Sequence, residues 1–287
     1  MTGIVLRWQR QHPPKLQTEH PPLREPHWRA ALQLRLFTLG GFRVLFNEQH
    51  LRKDDAGATP ATDLLKVIVA LGGRRVPENK IAAALWPCAD REDACARYDA
   101  ALTELRSWLA GTAVLLIENG TVSLDERHCW VDTWALDRCC ARIRETLSDT
   151  RRWPYEWQYL AVQTERLLRL YRGDFLHGER AQAWSFALRE RLRHHFVRTL
   201  TQVSTHWRRI GDAQRAMHCC RAALTVDPLA EPLYQLLVQC LMEQGRLREA
   251  VSHYQDYRTH FVELFGVEPN PDAFGVLCAE PQEIRLP

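Results

Sequence analysis

Gly211 and Gly245 stand 34 residues apart, and Ala216 and Ala250 keep the same interval five residues further on. A period of 34 belongs to a helix–turn–helix repeat whose antiparallel helices stack on the next pair. Small residues at the alanine positions let the two helices approach closely. With Ala216 in that position, Ala223 and Pro228 take the later small and closing-proline positions. Tyr234, Leu237 and Leu241 fill the large apolar positions one period on, and Leu200 and Trp207 do so one period back. The C-terminal half should therefore be a helical solenoid, which offers surface to partners or neighbours and is rarely a seat of chemistry.

The 287 residues are 46% hydrophobic, enough for two or three domains with real cores. The formal net charge is only +3, mild for a nucleic-acid binder. No apolar run approaches the roughly 18 residues needed to span a bilayer, so no membrane partner is expected. Ile4-Val5-Leu6 is too short for a signal-peptide core. Nine cysteines, among them the pairs Cys139-Cys140 and Cys219-Cys220, show neither a CxxC nor a zinc-site spacing. They read as small hydrophobes on helical faces in a reducing, cytoplasmic setting. Neither a metal nor a cofactor is expected. Gly40-Gly41 and Gly72-Gly73 lack the Lys-Ser/Thr of a phosphate loop, and no Gly-x-Ser-x-Gly elbow occurs. His194-His195 and His218-Cys219 are adjacent pairs that point different ways on a helix, so an enzyme is not expected.

Residues 1–31, with Pro13, Pro14, Pro21, Pro22 and Pro26 and no periodicity, read as a disordered or loosely ordered arm. From Leu32 the pattern alternates, and Gly40-Gly41 turns the chain into Phe42 to Phe46, a hairpin. Helices follow at about 61–71, 77–85 and 91–109, the second with Pro77 in its first turn. Val114 to Ile117 and Thr121 to Leu124 then flank Glu118-Asn119-Gly120, where Asn119-Gly120 suits a type I′ turn. A small sheet, three helices and a hairpin is the order of a winged helix with an added N-terminal sheet. A connecting helix over 132–147 precedes helices at about 156–171, 183–210, 212–226, 229–244 and 247–264. The fold class is thus mainly α: a winged helix with an N-terminal β-sheet and a C-terminal wing, then an all-α tetratricopeptide-like domain. The expected divisions are 1–31, 32–131, 132–278 and a tail over 279–287. Trp153, Tyr155, Trp157 and Tyr159 are expected to cap the junction between the two domains.

Several runs resemble a known family. Leu34-x-Leu36-x-x-Leu39-Gly40-Gly41-Phe42-x-Val44, Leu85-Trp86-Pro87 and Leu102-Thr103-x-Leu105-Arg106-x-x-Leu109 look like an OmpR-type winged helix of the antibiotic regulatory protein kind. Leu170-Tyr171-Arg172-Gly173-Asp174-Phe175-Leu176, Trp184, Arg189 to Arg193, Asp227-Pro228-Leu229-x-Glu231 and Gly266 to Pro269 resemble the bacterial transcriptional activator domain. The resemblance implies an activator whose third helix enters the major groove of double-stranded DNA and whose hairpin reaches an adjacent minor groove. It implies a helical domain that self-associates, as in a homodimer, or contacts the transcription machinery, RNA polymerase included.

At 100° per residue, Ala94, Tyr98, Ala101, Leu102, Leu105 and Leu109 share one face of the third helix, the core face. Opposite lie Ala96, Ala100, Thr103 and Ser107, flanked by Arg97 and Asp99. Small outward side chains let a helix sit deep in a groove about 12 Å wide. The candidate DNA-binding residues are Arg91, Arg97, Ala100, Thr103, Arg106 and Ser107, with Asn119 and Gly120 at the wing tip. Charge argues the other way. Residues 60–130 carry eight Lys or Arg against ten acids, a net of two negative charges, whereas phosphate neutralisation drives DNA affinity. The reverse holds over 142–220, with fifteen Arg against eight acids. A protein-interaction adaptor whose winged helix no longer reads DNA therefore stands as the alternative.

Overall fold

The computed structural model describes residues 33–47, 49–50, 59–109, 112–148, 156–180, 182–270 and 274. The arm expected over 1–31, the tail over 279–287, and Trp153 and Tyr155 lie outside the described residues. The described residues all belong to one compact unit.

β1 (Leu34–Phe37) and β2 (Arg43–Phe46) form the expected antiparallel hairpin, with Leu34 opposite Phe46 and Leu36 opposite Val44. Leu34 and Leu36 are fully buried while Arg35 and Phe37 are half-buried, as period two requires. A short β3 (Gln49–His50) extends β2. α1 (Pro60–Ala70) starts at Thr59, whose hydroxyl accepts from the Thr62 N–H while Thr62 reciprocates in a capping box. Its apolar residues Leu64, Leu65, Val67 and Ile68 are buried around nearly its whole circumference, so it forms the hub of the N-terminal half.

Pro77 departs from expectation. It ends a two-residue strand, β4 (Val76–Pro77), and sits at the N-cap of α2 (Glu78–Leu85) without a side-chain cap. A proline has no N–H to give, and at this edge position none is needed. After α3 (Arg91–Trp108), β5 (Leu115–Glu118) and β6 (Thr121–Leu124) make the wing, and β4 adds to β6 as a third strand. β7 (Cys129–Val131) then returns to pair parallel with β1, closing a four-stranded sheet in the order β3-β2-β1-β7.

α4 (Asp132–Ser148), α5 (Glu156–Leu170), α6 (Ala183–Arg209), α7 (Ala213–Leu224), α8 (Glu231–Glu243) and α9 (Leu247–Phe265) build the helical half. The repeat holds to the hydrogen bond. Gly211 donates to Arg208 O and Asp212 to Trp207 O; 34 residues on, Gly245 donates to Met242 O and Arg246 to Leu241 O. Both glycines have positive φ, 87° and 73°, the left-handed turn that ends the first helix of each pair. Ala216, Ala223 and Ala250 are completely buried, where any larger residue would push the helices apart. Among the described residues, no helix is long and apolar enough to cross a membrane.

Main-chain hydrogen bonds join the two halves. Trp157 and Tyr159 are exposed on α5, Trp157 lying by Arg215. The joint is made by the two motif runs. Leu39 and Phe175 form an antiparallel bridge, Gly40 donates to Asp174 O, and Leu176 donates to Thr38 O. Asp132, the first residue of α4 and nearly fully buried, accepts from the Thr38 N–H (2.6 Å), the Thr38 hydroxyl (2.7 Å) and the Leu39 N–H (2.8 Å). Nearby, the buried ammonium of Lys66 pairs with Glu179 at 2.8 Å and Asp63 at 3.2 Å, beneath the Phe42 ring.

Candidate nucleic-acid interface

α3 opens at Asp90, whose carboxylate accepts from the Asp93 N–H at 2.8 Å. Acids in its first turn and Arg106 in its last complement the helix dipole. Ala94, Tyr98, Ala101, Leu102, Leu105 and Leu109 are all buried, against α1 and α2. Arg91, Ala96, Arg97, Ala100, Thr103, Arg106 and Ser107 are all exposed. The helix therefore has one sealed face and one open face of small side chains flanked by arginines, as its periodicity indicated.

Finer geometry changes what those side chains can offer. The Thr103 hydroxyl donates to Asp99 O at 2.8 Å and the Ser107 hydroxyl to Glu104 O at 2.6 Å. Their protons are engaged by the helix itself, so outward they present methyl and acceptor surface rather than donors. Arg97 is bound in a fork by Asp93, with contacts of 2.8 and 2.9 Å. Arg91 and Arg106 form no ion pair with any described residue. Sequence reasoning missed the hold on Arg97, although acid and base four residues apart on a helix signal it.

Asn119 and Gly120 have φ of 50° and 70°, the two left-handed residues of a type I′ turn, and both are exposed at the wing tip. The tip is anchored: Gly120 O accepts from the Glu78 N–H at 3.0 Å, which satisfies an otherwise orphan donor at the start of α2. Tyr98 reaches from the buried face of α3 toward the same Glu78. Burial, reinforced by that carboxylate, pushes its hydroxyl well above the ordinary tyrosine range. The Gly120–Glu78 hydrogen bond links the wing to α2. At the base of the wing, Asp125 accepts from the Arg127 N–H at 2.9 Å and its guanidinium at 2.8 Å. Those bonds hold its carboxyl down at about 2.

Four arginines of the helical half are engaged within it. Arg189 donates to Phe175 O, Arg191 pairs with Asp137 and Arg193 with Asp227, while Arg208 pairs with Glu243. These contacts tie loops and helices together. Arg151 and Arg152 lie outside the described residues. Eight free cysteines occur among the described residues, and burial pushes the thiols of Cys219 and Cys220 up to about 12. No cluster of potential metal ligands occurs among the described residues.

Residues 132–276 match the family model of the bacterial transcriptional activator domain. The fold is similar to that of Mycobacterium tuberculosis EmbR, solved in complex with a low affinity phosphopeptide, with a TM-score of 0.63 at 19% identity. The alignment covers 86% of this chain and 64% of EmbR, so this chain spans less than two thirds of that protein. No curated protein matches significantly. With the family model matching half of its length, the chain belongs to the bacterial transcriptional activator domain family.

Proposed function

We propose that the chain binds double-stranded DNA, with the exposed face of α3 in the major groove and the Asn119-Gly120 turn over the neighbouring minor groove. The observation that carries this reading is the open face of Ala96, Ala100, Thr103 and Ser107, flanked by Arg91, Arg97 and Arg106, on a helix whose other face is buried. Small side chains allow close approach of the helix backbone, and arginines at the margins are placed for phosphates. In this reading Asn119 and Gly120 bring backbone rather than bulk to the sugar–phosphate edge. The helical domain contacts RNA polymerase or a second copy of the chain, and the protein works as an activator in the cytoplasm.

A protein-interaction adaptor remains the second reading, favoured by one observation: Arg97 is neutralised by Asp93 in a head of net negative charge. Footprinting over genomic fragments at about 50 mM salt separates the two, because electrostatic affinity is strong there. A protected site that disappears in the folded Arg97→Ala/Thr103→Ala variant supports DNA reading. No protection on any fragment, with a protein partner retained through residues 200–265, would establish the adaptor instead.

A further inference from the structure

A cleft of about 650 Å3 opens where the end of α1 meets α4 and α6, so each half of the chain supplies a wall. Small-molecule pockets occupy roughly 300–1,000 Å3 and favour such seams. Leu71 lies exposed in the cleft, with Ala70, Ala141 and Ala187 continuing the apolar lining. The charged lining is three arginines, Arg74, Arg138 and Arg191, against one acid, Asp137.

That acid is already occupied. One Asp137 oxygen binds Arg191 at 3.0 Å, and the other lies 3.0 Å from His195 Nδ1. Glu126, outside the lining, pairs with Arg74 and reaches Arg138 only at 3.9 Å. Arg138, its side chain still 47% exposed, also has Arg74, Arg142 and Arg166 for neighbours. Burial, with those like charges adding to it, pulls its guanidinium below the usual arginine range despite Glu126. Positive charge in this recess thus exceeds what the nearby acids neutralise, beside an apolar surface that water covers poorly.

We propose that the cleft is a binding site for a small organic anion. A carboxylate or phosphate head lies against the guanidinium of Arg138 and the remaining N–H groups of Arg191, and an apolar body covers Leu71 and Ala187. Planar guanidinium forks match such heads in geometry and charge. An occupant touches both halves at once and stiffens their joint. The site does not depend on the DNA reading, and its test involves no DNA.

The full chain is titrated with 1-anilinonaphthalene-8-sulfonate, a fluorescent organic anion, and with its uncharged counterpart N-phenyl-1-naphthylamine. The expected result is saturable one-to-one binding of the sulfonate, roughly tenfold or more tighter than the neutral probe and competed by inorganic phosphate. Arg138→Leu removes the charge and Ala187→Trp fills the space; each weakens the sulfonate roughly tenfold, with circular dichroism and Tm preserved. If Arg138→Leu fails to fold, Ala187→Trp alone decides. Equal binding of the two probes, binding that phosphate does not compete, or binding that survives the substitution in a folded variant overturns the proposal.

Discussion

A methyl group built on Gly40 would lie 2.8 Å from the carbonyl oxygen of Arg172. Gly40 sits in the N-terminal sheet region and Arg172 in the loop between α5 and α6, so this close approach locks the winged helix to the helical domain. Gly173 faces Gly40 from the other side, its own built Cβ only 3.2 Å from the Gly40 Cα. Gly40 also has a φ of 80°, which an L side chain adopts only under strain. Gly40→Ala should therefore cost about 2–4 kcal/mol, overpacking added to backbone strain. Gly211→Ala, at a similar φ of 87° but with nothing within 4 Å of its built Cβ, should cost distinctly less. Urea unfolding of both variants checks the order; equal costs would refute the close-packed joint.

The two turn glycines of the repeat allow an internally controlled comparison. Both have open space around a built Cβ, so Gly211→Ala and Gly245→Ala feel the backbone term alone. Each should lose about 1 kcal/mol, and the two losses should agree within a few tenths. Ala250→Leu, at a fully buried helix contact, should lose about 1–3 kcal/mol or more by overpacking. Chemical denaturation gives all three values. A neutral Ala250→Leu would contradict the close helix approach.

Asp125 supplies a pH signature. Its folded carboxyl titrates at about 2, held down first by the hydrogen bonds from the Arg127 side chain. A lowered folded pKa means the stabilisation is complete above the unfolded value of 3.8 and is lost as pH falls toward 2. Wild type should exceed Asp125→Asn in stability by about 1–2 kcal/mol at pH 7, from charge-assisted hydrogen bonds. The gap should stay flat down to about pH 5 and shrink between pH 4 and 2. Melting curves across that range test it; a gap that widens in acid would reverse the sign.

Asp93 restrains Arg97. Asp93→Asn removes an acid from the head and frees the guanidinium, so DNA affinity should rise while the salt dependence steepens by about one counterion. Arg97→Ala should do the opposite. Titrations at several salt concentrations measure both slopes. If DNA binding responds to neither change, Arg97 lies outside the interface.

Periodicity made most of the architecture legible. The 34-residue spacing located both turn glycines and both buried alanines, because helix packing in a solenoid is local and repeats with the chain. The faces of α3 were equally readable, since 100° per residue separates Tyr98 from Thr103 without tertiary information. What escaped was long range. β7 has three residues and earns its place only by lying beside β1, some ninety residues earlier. The two motif runs around Gly40 and Gly173 were visible, but their mutual contact was not, because no spacing encodes which loop meets which.

The bridge from Leu39 to Phe175 also has a geometric consequence. With main chain hydrogen-bonded across the joint, the direction of α3 is set relative to the solenoid, not left to a swinging tether. Any pairing of two copies through their solenoids would fix the angular phase between two α3 helices as well as their separation. On DNA that phase becomes a count of base pairs: spacing two recognition sites by a whole turn more would be tolerated far better than by half a turn.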